Sequence, residues 1–89
     1  MALQILNAGP DPALIVEQIR SAIAGKLPDA EIEVRAASPG HYEIAVTSAS
    51  FAGKSKVRQH QLVYGAITDL MSGDAAPVHA VDRLECQVP

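Results

Sequence analysis

Apolar residues recur at intervals of four from Ile15 through Ile19 to Ile23, with Ala22 beside them. That spacing predicts one amphipathic helix with a single buried stripe. Asp11 precedes it as an N-cap acceptor, and Pro12 suits the first helical position, where its missing N–H leaves nothing unpaired. Gly25 is expected to close the helix and Pro28 to prevent its resumption. Residues 1–10 read as an extended N-terminal arm ending in Gly9-Pro10.

From Glu31 the period changes to two. Ile32, Val34 and Ala36 alternate with Glu31, Glu33 and Arg35, the pattern of a half-buried strand. Ser38-Pro39-Gly40 is a turn signal. Tyr42, Ile44 and Val46 then alternate with His41, Glu43 and Thr47, which predicts a hairpin. Phe51-Ala52-Gly53 breaks the second strand, and Ser55 is placed to cap a second helix. Val57, Leu62, Val63, Ile67, Leu70 and Met71 are expected to form its buried face, with Gly73 at its end. A loop through Pro77 leads to a last alternating run from Val78 to Val88.

The element order is therefore α-β-β-α-β over residues 11–89, one α+β domain with two helices on one face of a three-stranded mixed sheet. A helical crossover between neighbouring strands makes them parallel. If the second and third strands are those neighbours, their starts share one edge of the sheet. His41 opens the one strand and His79 the other, so this topology brings two of the three histidines to the same edge.

Composition narrows the function classes. Apolar residues make up 48% of the 89-residue chain and charged residues 19%, a balance that favours one folded core over disorder. Aromatics are confined to Tyr42, Phe51 and Tyr64, so stacking platforms for single strands are nearly absent. The net charge of −3 argues against a general polyanion binder. Cys86 is the one cysteine and can form neither an internal disulfide nor a cysteine-rich zinc site. The apolar runs fall far short of the roughly 20 residues that span a bilayer. No basic segment precedes the apolar residues of Met1–Asn7, so this stretch does not read as a signal peptide. A soluble, cytoplasmic protein is expected.

No catalytic constellation emerges. Gly53-Lys54-Ser55 ends like a phosphate-binding loop, but Ser48 stands where the first glycine would be needed. Glu31, Glu33 and Glu43 read as the solvated face of the hairpin. Imidazole suits zinc, iron and copper, so His41 and His79 are either ligands or strand-end histidines bonded to backbone or water. Two ligands do not close a site, and any metal here would be shared with another molecule. His60 reads as a polar contact between the second helix and a loop, and Cys86, in phase with Leu84 and Val88, as a small buried hydrophobe. Lys54, Lys56 and Arg58 surround a helix start with no acid nearby, and suit either an anionic partner or plain solvation.

The run from Phe51 through Gly53, Ser55, Val57 and His60 to Tyr64 resembles the signature of the BolA-like family. There a strand ending in Phe-x-Gly leads into a helix of the form Ser-x-Val-x-Arg-His-Arg-x-Val-Tyr. Pro77-Val78-His79-Ala80-Val81 resembles the segment that starts the family's third strand. In this chain Gln59 separates Arg58 from His60, and Gln61 stands where an arginine is common.

The resemblance implies a fold related to class II KH domains and a non-enzymatic role: pairing with a monothiol glutaredoxin and sharing a [2Fe–2S] cluster, in cluster trafficking or iron-dependent regulation. It implies His79 as one ligand. A second would come from the loop between the first two strands, where His41 stands. The glutaredoxin cysteine and glutathione would complete the set, and a homodimer is compatible with the family. The competing expectation is a transcriptional regulator that binds DNA or RNA weakly through Lys54, Lys56, Arg58 and His60 on a KH-like surface. Against it stands Gly53-Lys-Ser-Lys56, which lacks the second glycine of a KH clamp.

Overall fold

The computed structural model describes residues 11–89, so the arm read at residues 1–10 lies outside the described residues. The elements run in the expected order: α1 (Pro12–Lys26), β1 (Glu31–Ser38), β2 (His41–Thr47), α2 (Lys56–Ala66), the short α3 (Thr68–Met71) and β3 (Ala80–Gln87). A 3-10 turn, Ala49–Phe51, follows β2. The sheet has the order β1-β2-β3, antiparallel across the hairpin and parallel between β2 and β3. Helix α1 packs on β1 and α2, and α2 packs on β3.

Helix α1 starts as its sequence dictates, with the Asp11 side chain accepting from Ala13 N at 2.9 Å and Pro12 as the first helical residue. Its end differs from expectation. Gly25 stays helical, and the cap is Leu27, whose N–H donates to the Ile23 carbonyl. Leu27 extends the four-residue stripe of Ile15, Ile19 and Ile23, and all four are buried. Burying one more leucine favours carrying the helix past the glycine.

In the hairpin, Tyr42, Ile44 and Val46 face the core while Ile32 and Val34 are half-buried. Ala36 keeps the expected face, opposite Tyr42, but is exposed near the turn end of this edge strand; the register slips just beyond it, between Ala36 and Ser38. Proline at 39 followed by Gly40 at φ 79° matches the sequence demand of a type II turn.

The second helix also departs from its simple reading. Its buried face is Gln59, Val63 and Ile67, again at a spacing of four, with Leu62, Ala66, Leu70 and Met71 half-buried beside it. Val57 is 68% exposed, since it precedes Gln59 by two residues, about 200° around the helix. The helix breaks at Ile67, whose N–H donates to the Tyr64 carbonyl, and the Thr68 hydroxyl donates to the Tyr64 and Gly65 carbonyls. Gly73, at φ 89°, follows the end of α3.

β3 is shorter than the alternating run suggested, and Val88 beyond its end is exposed. Tyr42 pairs with Val81 but Glu43 with Arg83, which makes Asp82 a bulge residue opposed by nothing on β2. The bulge resets the alternation. Val81, Leu84 and Cys86 consequently all contribute to one core, although 81 and 84 are out of phase for a regular strand.

The loop after β2 is locked from two sides. Asp29, in the α1–β1 connection, accepts from the Ser48 hydroxyl at 2.9 Å and from Ala49 N at 2.8 Å. Phe51 is fully buried behind this clamp. Phe51→Ala is expected to destabilise the domain by about 3–5 kcal/mol, the usual cost of emptying a buried aromatic site, measurable by urea unfolding.

The bonds to Ala49 and Ser48 hold the Asp29 carboxyl below its ordinary value of 3.8. A depressed folded-state pKa contributes stability above the unfolded value and loses it as the pH falls through the folded one. Asp29→Asn should therefore flatten the loss of stability below about pH 4 and lower stability at neutral pH, as read by urea midpoints across that range.

Candidate functional site

The site is assembled where β3 begins beside the β1–β2 turn. Val78 is 1% exposed and donates its N–H to the Leu70 carbonyl at 3.1 Å, which seats the chain entering β3. The next two amides both donate to the Gly40 carbonyl, His79 N at 2.8 Å and Ala80 N at 3.1 Å. The backbone of His79 is thus fixed onto the turn.

Its ring is seated there too. A Cβ placed on Gly40 would collide with Nδ1, Cγ and Cε1 of His79, so the imidazole occupies the space that only glycine leaves open. His79 is exposed and lines a groove of about 540 Å³ between the β1–β2 turn, Pro12 and the Asp74–Pro77 loop.

His41 opens β2 and pairs with Ala80, so the topology does bring the backbones at 41 and 79–80 together. The rings go to different partners. His41 is half-buried and its Nδ1 lies 2.9 Å from Asp82 Oδ1, and the groove that takes in His79 is not lined by His41. Among the described residues no group of three or more His, Cys, Asp or Glu side chains could hold a metal ion. Imidazole donors without a closed ligand set suit a metal group only if another molecule supplies the remaining ligands.

The other candidates lie elsewhere. His60 is half-buried in the middle of α2. The polar contact that ties this helix to the preceding loop is made by its neighbour Gln59, whose Nε2 donates to Phe51 O at 3.2 Å and Lys54 O at 3.0 Å. Gln59 Oε1 is buried without a partner. Lys54 Nζ donates to the Ser50 carbonyl and Lys56 Nζ to the Cys86 carbonyl, and Arg58 Nη1 reaches Gln61 Oε1 at 3.4 Å. Cys86 is 1% exposed. Burial pushes its thiol up, against a smaller opposing pull from the Lys56 ammonium, so it packs as a small hydrophobe with little thiolate.

Sequence reasoning passed over Gly40, Asp82 and Gln59 as functional or positioning residues. A signal existed for two of them. Gln59 stands four residues before Val63 and eight before Ile67, and the three-residue gap between Val81 and Leu84 marks a break in strand parity.

Gly40→Ala is expected to cost roughly 1–2 kcal/mol for the left-handed backbone alone and also to dislodge the His79 ring. Gly53, at φ 77° with open space around it, provides the control. Gly53→Ala should lower stability yet leave the imidazole NMR resonances of His79 in place, whereas Gly40→Ala should shift them.

The profile of the family described as BolA-like protein matches residues 14–87. BolA-like protein 1 of Mus musculus is 33% identical over 79 residues, covering 83% of this chain and 56% of the relative. The chain thus spans little more than half the length of that protein. The solution structure of mouse BolA1 superposes with a TM-score of 0.68 at 26% identity, covering 100% of this chain and 75% of that one. The BolA domain of SufE1 from Arabidopsis thaliana shares the fold, with a TM-score of 0.72 at 24% identity over 84% of this chain and 92% of that domain.

Proposed function

The chain belongs to the BolA-like family, and on that footing we propose that it is a non-enzymatic cytoplasmic adaptor that pairs with a monothiol glutaredoxin and shares a [2Fe–2S] cluster with it. The observation that carries this reading is His79, an exposed imidazole seated over Gly40 beside an open groove, its backbone N–H fixed to the Gly40 carbonyl. In this reading His79 is the principal ligand from this chain and His41 the second. The glutaredoxin cysteine and glutathione supply the rest.

The shared arrangement has a chemical reason. Two imidazoles leave the iron with an incomplete ligand set. Neutral nitrogen donors in place of thiolates also leave the cluster less negative, which raises its reduction potential. A cluster held in this way is suited to transfer or sensing, since separating the partners releases it.

The competing role in nucleic-acid binding has less support. Lys54 and Lys56 direct their ammonium groups to backbone carbonyls, and the chain carries a net charge of −3. An excess of acidic groups opposes the phosphate neutralisation on which such affinity depends. No helix among the described residues is long and apolar enough to cross a membrane.

Anaerobic reconstitution with a monothiol glutaredoxin, glutathione, iron and sulfide, read by visible circular dichroism, tests the proposal. The wild type should give a spectrum distinct from that of the glutaredoxin homodimer. His79→Ala should abolish that spectrum, and His41→Ala should weaken or alter it. A spectrum that never departs from glutaredoxin alone would remove the shared-cluster reading.

A further inference from the structure

Asp82 is the one residue of the β2–β3 ladder left without an opposing residue, and bulges of this kind re-aim a side chain next to functional sites. Its Oδ1 lies 2.9 Å from Nδ1 of His41. We propose that Asp82 is the positioning residue of His41, fixing the tautomer in which Nδ1 carries the proton and Nε2 faces outward as a metal-ligating lone pair. The inference rests on the reading of His41 as a ligand and deepens it by naming the ligating atom and the group that prepares it.

The chemistry runs from the acceptor. An ionised carboxylate can only accept hydrogen bonds, so the contact requires the proton to sit on Nδ1. A neutral imidazole has one such proton, which leaves Nε2 free to donate its electron pair. An unconstrained neutral histidine prefers the opposite tautomer, with Nε2 blocked by hydrogen. Histidines that bind metals almost always donate their other ring N–H to a carboxylate, carbonyl or water, and that partner orients the ring and raises its basicity. His41 and Asp82 reproduce this relation.

The environment favours orientation over stabilisation. The two side chains are 40% and 43% exposed, and a pair this open adds little to folding. That exposure also leaves the His41 ring open to a partner. The bulge brings the carboxylate to the ring through the backbone of β3, so the arrangement does not depend on a long flexible side chain. His79 is held by a different device, the Gly40 carbonyl and the space above it.

Two readouts test the inference. Long-range 1H–15N NMR of the free protein, with the rings neutral, should show His41 protonated at Nδ1. Asp82→Ala should return it to the Nε2–H form, and Asp82→Asn, whose carbonyl oxygen can still accept, should largely retain the wild-type tautomer. In the glutaredoxin reconstitution, Asp82→Ala should weaken shared-cluster assembly about 10–100-fold, while Asp82→Asn stays closer to wild type.

An Nε2–H tautomer in the wild type, or an unchanged tautomer in Asp82→Ala, overturns the positioning role. Equal assembly by wild type and Asp82→Ala overturns its bearing on the metal while leaving the adaptor function standing. Failure of the wild type to assemble at all, with the glutaredoxin homodimer forming normally, overturns the adaptor function and the metal-directed part of this inference together.

Discussion

The parallel pairing of β2 with β3 is the constraint on which the rest of the structure depends. Parallel neighbours cannot be joined by a tight turn, so the chain between them must cross over the sheet, and α2 makes that crossing. The ladder is fastened at both ends. At its start the Gly40 carbonyl accepts from His79 and Ala80, and at its end Ser48 N donates to the Gln87 carbonyl at 3.0 Å. Lys56 adds a third tie from the start of α2 to the Cys86 carbonyl. Because the ladder runs from one tie to the other, residues far apart in the chain acquire fixed relations: Val46 beside Cys86, Ile44 beside Leu84 and His41 beside Ala80.

One irregularity in that ladder serves packing and chemistry at once. A regular β3 would put Val81 and Leu84 on opposite faces. The extra residue at Asp82 brings both to the core and leaves the bulge residue itself outward, against His41. The hydrophobic requirement accounts for the bulge without any functional premise. The carboxylate at that position is a separate choice of the sequence, and the core does not need it.

The charged residues follow a similar division. Arg35 with Glu43, and Arg83 with Glu85, cover the exposed face of the sheet and leave it polar. Lys54 and Lys56, which read in the sequence as a basic patch, instead tie the loop and the start of α2 to backbone carbonyls.

The sequence by itself determined the elements and their order, because caps, turns and periodicity act over a few neighbouring residues. Asp11-Pro12 and the isoleucines at 15, 19 and 23 specify α1, alternation and Pro39-Gly40 specify the hairpin, and Ser55 starts α2. It brought His41 and His79 to one sheet edge only on the condition that β2 and β3 are neighbours, and the tertiary structure supplied that adjacency. The tertiary structure decided whatever depended on a partner distant in sequence. Leu27 overrides Gly25 as the end of α1 because a core lies beneath it, and Val57 is exposed because Gln59, Val63 and Ile67 claim the inward face. The two rings at the shared edge diverge, one seated over Gly40 and the other drawn to Asp82. Backbone pairing sets where a residue begins, and the groups that surround its side chain in three dimensions set where that side chain ends.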